Sequence, residues 1–286
     1  MHSVFAEAPD TRAQPEPYAV SAEFYDILQA HDDDRRVRRL YGAAVAQARM
    51  GIVDVGAGTG RVTLMSLARS KVGVHAVEPA RAMRAALMTR LAALPAPQRA
   101  RASVHPSALE EAVLRDAADL VICHNTVACL TPDARETLWA SVAEVLVPGG
   151  RLLLQLPPDR LPAEEQRRVF PVQRMGRHEY GGHMVMSAAG PRIRTRVDYW
   201  VRGTHGLDGM RGTHGTNGLL GEHTETFWMW PATRSDLVAD LRRHGFAVSS
   251  ARNDPAVLAV TLGQRLDQGL GQGPWRCHTG GRHTVC

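Results

Sequence analysis

The sequence predicts a doubly wound α/β domain on a mostly parallel sheet, and three observations carry that reading. Short β-branched runs alternate with segments of helical period, a glycine-rich turn follows the first such run, and an irregular stretch interrupts the pattern before it resumes. A chain of 286 residues suits one core with an elaboration, not two equal domains.

Residues 1–17, rich in Pro, Ala and charge, read as a loose arm. Residues 18–28 and 34–48 read as two helices, the second with Val37, Leu40, Tyr41, Ala44 and Val45 on one face. The period changes at residues 51–55, a strand that runs into the glycine turn, and residues 61–70 resume helical spacing. Residues 72–77 form the second strand and 79–94 a helix with Met83, Leu87 and Leu91 in line. Strands follow at 103–105 and 118–123, then a helix at 132–146, a turn at Pro148-Gly149-Gly150 and a fifth strand at 151–156. Right-handed crossovers wind such a series into a sheet covered on both faces, with ligands at the carboxyl ends of its strands.

Residues 159–230 break the pattern. Positions 184–187, 192–201 and 222–230 alternate like strands, while Arg202-Gly203-Thr204-His205-Gly206 echoes as Arg211-Gly212-Thr213-His214-Gly215 in a glycine-rich loop. A helix at 234–244 and strands near 246–251 and 256–262 complete the core. The segment 263–286 lacks an apolar period and reads as a flexible tail.

Composition narrows the classes. Hydrophobic residues at 44% and charged residues at 22% describe a globular protein, and the net charge of +5 is scattered arginine, Lys71 being the only lysine. The basic group Arg35-Arg36-Val37-Arg38-Arg39 adjoins Asp32, Asp33 and Asp34 and reads as a solvated helix face, which disfavours nucleic acid as a partner. Cys123, Cys129, Cys277 and Cys286 show no disulfide framework, no leader is apparent and no apolar run reaches membrane length. These features point to a cytoplasmic protein off the membrane. Cys277-His278 with His283 and Cys286 lacks a standard zinc spacing, and His178, Glu179 and His183 read as exposed groups in an Arg-rich loop, so no metal is expected.

The chemistry is concentrated in Val53-Asp54-Val55-Gly56-Ala57-Gly58-Thr59-Gly60-Arg61, between the first strand and its helix. Glycines there allow a sharp turn and let a ligand approach the backbone. Eighteen residues after Gly60, Glu78 ends the second strand, where a carboxylate can accept from both hydroxyls of a ribose. A dinucleotide fingerprint would need glycine where Arg61 stands, so the spacing suits a nucleoside cofactor lacking phosphates.

These motifs, with Glu78-Pro79, resemble the class I S-adenosylmethionine-dependent methyltransferases, particularly their small-molecule branch, over residues 18–156 and 233–262. The resemblance implies a Rossmann-like methyltransferase fold with S-adenosylmethionine as cofactor. It implies that Asp54, Gly56, Ala57, Gly58 and Gly60 receive the cofactor, that Glu78 and Pro79 meet its ribose, and that Ser107, Ala108 and Leu109 border adenine. An Asp often stands where this chain has Ser107. His124 and Asn125 occupy the position facing cofactor and acceptor, and Phe24-Tyr25-Asp26 resembles the helix that closes over the cofactor, with Tyr18 or Tyr25 near its methionine end. The chain then divides into an arm with covering helices (1–46), a cofactor-binding core (47–158), a substrate-binding insert or lid (159–232), the completion of the sheet (233–262) and the tail (263–286). Where the acceptor must lose a proton, His124, His178 and His183 are the candidate bases. The aromatic insert, with Tyr180, Tyr199, Trp200, Phe227, Trp228 and Trp230, suits a small organic acceptor such as a specialised metabolite. An RNA or protein methyltransferase and a nicotinamide-dependent oxidoreductase are the alternatives, and a homodimer is left open.

Overall fold

The computed structural model describes residues 16–203, 218–249 and 254–264, with Ala30 and His31 described by backbone alone. The arm up to residue 15, most of the Arg-Gly-Thr-His-Gly echo and the tail from 265, with Cys277, His278, His283 and Cys286, lie outside the described residues. The core contains α1 (Ser21–Gln47), β1 (Gly51–Val55), α2 (Arg61–Arg69), β2 (Gly73–Val77), α3 (Arg81–Ala92), the short α4 (Ala96–Arg99), β3 (Ala102–His105), β4 (Ala118–Cys123), α5 (Pro132–Val145) and β5 (Leu146–Gln155). An insert of β6 (Gln166–Met175), β7 (His178–Ala189), β8 (Arg192–Gly203) and β9 (Leu219–Met229) follows. Then α6 (Arg234–Arg243), β10 (Phe246–Val248) and β11 (Val257–Leu262) return to the core.

The seven core strands lie in the order β10-β11-β5-β4-β1-β2-β3. β3, β2, β1, β4 and β5 run parallel, whereas β11 is antiparallel to both β5 and β10. All five residues of β1 are buried, as expected of a central strand covered on both faces. Val53, Val55 and Val121 pack towards α5 and α6, and Ile52, Leu120 and Ile122 towards α1 and α2. Because the central strands share one direction, the glycine loop, Glu78, Ser107 and His124 all emerge along one edge of the sheet.

Two expectations are corrected. Residues 18–28 and 34–48 are not separate helices, since α1 runs unbroken from Ser21 to Gln47. Phe24, Leu28, Val37, Tyr41 and Val45 recur on its inner face, and Asp33, four residues before Val37, falls on that face too. Asp33 is therefore buried, while Asp32 pairs with Arg35 in solvent; only part of the acidic run is solvated.

The stretch around His178 is likewise strand and not an exposed loop. β6 to β9 form a four-stranded antiparallel sheet in sequential order. In β6 only Phe170 is buried, so its sequence lacks the alternation that identifies a strand. Register puts Phe170, Gly182, Tyr199 and His223 abreast on one face. That face receives the start of α1: Phe24 stacks on Tyr199 at 4.5 Å and 10°, and Leu28, Phe170 and Val197 close the cluster.

Candidate active site

The turn after β1 places all three glycines at positive φ, 68° for Gly56, 57° for Gly58 and 95° for Gly60. Two are also packed tightly: a Cβ on Gly56 would lie 2.3 Å from Thr126 Oγ1, and one on Gly60 2.5 Å from Leu87 Cδ1. Gly58 differs. A Cβ there would meet nothing nearer than 4.0 Å, so open space faces that backbone and a ligand can approach it.

Glu78 stands beside that opening and is 5% exposed. Its Oε2 accepts from Gly58 N at 2.7 Å and its Oε1 from Ala80 N at 2.8 Å. A carboxylate offers about four acceptor sites, so one remains on each oxygen, enough for the two hydroxyls of a ribose. Burial raises the Glu78 carboxyl above its ordinary value, and the Ala80 and Gly58 amides oppose that rise. An S-adenosylmethionine ribose fits this acceptor set: two free acceptor positions beside a glycine whose side-chain space is empty.

Asp54, midway along β1, is 1% exposed and accepts from Thr63 Oγ1 at 2.6 Å. Burial pushes its carboxyl up to about 7 against the Thr63 hydrogen bonds. A raised native value favours the protonated form, so the stabilisation that this group supplies is complete below about pH 4 and lost as pH rises through about 7. Asp54→Asn stays neutral throughout. Its melting temperature relative to the parent should therefore improve between about pH 5 and about pH 8.5; an unchanged difference across that range would contradict the assignment.

At the end of β4, His124 is buried and engaged through both ring nitrogens. Nδ1 lies 3.1 Å from Tyr41 Oη and Nε2 3.3 Å from Asp33 Oδ1, both on α1. Asn125, at φ 55°, projects Nδ2 to 3.4 Å from Tyr25 Oη. Burial and the Asp33 carboxylate push Tyr25 up to about 12, so it stays a neutral phenol.

Sequence reading missed the ion network beneath these groups. The Arg61 side chain is 4% exposed and meets Asp26 at 2.8 Å, Asp34 at 3.1 Å and Asp33 at 3.4 Å. Asp26 also accepts from Thr59 Oγ1 at 2.8 Å and pairs with Arg90 at 2.8 Å. One guanidinium thus fastens α1 to the glycine loop, and Asp33 continues the connection to His124. The position where a dinucleotide site would need glycine is the anchor of this network.

Tyr18, at φ 63°, belongs to a strap before α1 and lies near Glu78. Glu16 Oε1 accepts from Ala82 N at the start of α3 at 3.0 Å, and the Tyr18 ring stacks on Phe227 of β9 at 4.9 Å. Burial raises its phenol, as do hydrogen bonding to Cys129 and the nearby Glu78 and Tyr25, all of which put it at the site. Ser107 Oγ donates to Ala108 O at 3.2 Å, Ala57 packs in the core, Pro79 is exposed, and Leu109 is a core residue against Val55 and Val77.

His178 and His183 are not brought to this cluster. His183 sits on the sheet face turned away from α1, 3.2 Å from Asp198, and His178 is exposed at the start of β7. Among the described residues neither shares a hydrogen bond or ion pair with the glycine loop, Glu78 or Asn125.

Residues 52–150 match the family model described as a methyltransferase domain. Over those residues the chain is similar to a methyltransferase domain. Solved structures of the same fold include an S-adenosylmethionine-bound amino pentose methyltransferase of calicheamicin biosynthesis from Micromonospora echinaspora. It is 19% identical with a TM-score of 0.58, over 91% of this chain and 99% of that one. DesVI of Streptomyces venezuelae is 17% identical with a TM-score of 0.59, over 87% and 93%. A sugar N-methyltransferase from Streptoalloteichus is 16% identical with a TM-score of 0.58, over 92% and 98%. At these identities the likeness fixes the fold. No curated protein matches the chain in sequence. The matched residues run from β1 to the start of β5, and the glycine loop and Glu78 among them lie at the carboxyl ends of the strands, where such sheets bind ligands. No helix among the described residues is long and apolar enough to cross a membrane.

Proposed function

We propose that this methyltransferase takes S-adenosylmethionine as donor and methylates a small organic acceptor, a specialised metabolite. The observation that carries the reading is Glu78, whose two oxygens each keep an acceptor position free beside Gly58. Bound there, the donor supplies an electrophilic methyl group on a sulfonium that departs without acid assistance. The chain's own residues have to bind, align and exclude water. Glu78 receives the ribose hydroxyls, Gly56, Gly58 and Gly60 admit the donor to the backbone, and Ser107 and Ala108 border its base. Tyr18, Tyr25 and Asn125 orient its methionine end. Alignment of this kind lowers a barrier by roughly 7–11 kcal/mol.

His124 acts in this scheme as a positioning residue, because Tyr41 and Asp33 already occupy its two nitrogens. The insert over residues 159–232 supplies the acceptor wall, since Phe227 reaches the strap and Trp230 N donates to Ala128 O at 2.8 Å beside the end of β4. The similarity in fold to sugar and amino-pentose methyltransferases supports a small acceptor over RNA, protein or nicotinamide chemistry. The reading extends to a cytoplasmic protein, with a homodimer left open and decided by gel filtration.

A donor bearing a tritiated methyl group, offered with a panel of small amines, alcohols and thiols, should deliver label to an organic product. Donor binding with no transfer to any member would contradict the reading.

A further inference from the structure

Glu225 lies on the face of β9 that meets α1, opposite Val197 and between His223 and Phe227 on the same side. Its Oε2 accepts from Ser21 N, the first amide of α1, at 2.7 Å. The surroundings are aromatic: Tyr18 stacks on Phe227 at 4.9 Å, and Phe24 stacks on Tyr199 at 4.5 Å and tilts against His223 at 5.7 Å. In a chain whose positive charge is almost wholly arginine, Glu225 has no ion pair among the described residues. This partly buried carboxylate spends one oxygen on a helix amide, and its neighbours along the same face of β9 are the rings of His223 and Phe227. Tyr18 joins that space to the cofactor carboxylate, since the same phenol lies near Glu78.

We propose that Glu225 selects the acceptor: it draws in an amine as an ammonium against the Tyr18 and Phe227 rings. The ammonium gives a proton to water, and the freed nitrogen lone pair then bonds to the donor methyl as the carbon–sulfur bond breaks and the sulfur leaves as a neutral thioether. This rests on the methyltransferase reading above. A carboxylate without a cation, walled by aromatic faces whose quadrupoles also attract cations, favours an ammonium over a neutral hydroxyl. Desolvating a hydroxyl there would leave the carboxylate charge uncompensated. Glu225 thus has two tasks, capping α1 through Oε2 and reading charge through Oε1, and they can be separated. Glutamine keeps an amide oxygen for Ser21 N and removes the charge.

The test uses the full chain, a donor with a deuterated methyl group and a panel of primary amines, each paired with its hydroxyl counterpart. Incorporation should be confined to the amines. Glu225→Gln should raise the amine KM roughly tenfold or more, the scale of one charge-assisted contact. Its kcat should stay within about twofold, and its donor affinity and melting temperature should be unchanged, because the cap survives. Glu225→Ala should lose the cap and melt lower, which would show that glutamine preserves the structural contact. Incorporation into hydroxyl members as readily as amines, no incorporation while donor binds, or an unchanged amine KM in Glu225→Gln would overturn the proposal. Failure of the parent to bind donor would instead remove the functional reading beneath it.

Discussion

Replacing Arg61 by Ala should destabilise the protein by about 3–5 kcal/mol, because removing one member of a buried ion network leaves the others without compensation. Asp33 would keep His124 and the more distant Arg36 charge, and Asp26 would keep Arg90 and Thr59. The loss should therefore fall near the lower bound. Arg61→Lys should recover part of it, since a single ammonium cannot span Asp26, Asp33 and Asp34 as the planar guanidinium does. The same change should weaken cofactor binding, because Thr59 and Tyr25 both depend on this anchor for their positions. Urea unfolding measures the first effect. A loss below about 1 kcal/mol would make the network equivalent to surface ion pairs and remove α1 from the architecture of the site.

Much of the core was legible because its elements are periodic. β1 and β4 are apolar runs broken only by Asp54 and Asp119, and α5 and α6 carry their leucines and valines at helical spacing. The glycine loop and Glu78 were legible for a different reason: their conformational and chemical demands are met by few residue types. What the sequence hid was tertiary. Asp33 and Arg61 look like surface charges in a chain rich in arginine, and only packing shows that they face each other inside. The one available sign was Asp33 at helical spacing from Val37, Tyr41 and Val45. β6 was hidden because its outer residues are solvated and only Phe170 is buried. His183 drew notice as a possible base by its chemistry alone, yet the β7–β8 register sends it with Asp198 to the far face. Glu225 was overlooked because its environment comes from α1, some two hundred residues earlier, through Ser21 and Phe24.

The central claim is that the Gly58–Glu78 cradle binds the ribose of S-adenosylmethionine. Glu78→Ala removes both free acceptor positions and also the partners of the Gly58 and Ala80 amides. Leaving two hydroxyls without acceptors costs about 1–3 kcal/mol, up to roughly a hundredfold in affinity. Titration calorimetry of S-adenosylmethionine against the parent and Glu78→Ala, with NADH as competitor, measures this directly. The account predicts micromolar binding to the parent, a loss approaching a hundredfold in the variant and no displacement by NADH. Equal affinity in the two proteins, or displacement of the sulfonium by NADH, would contradict it.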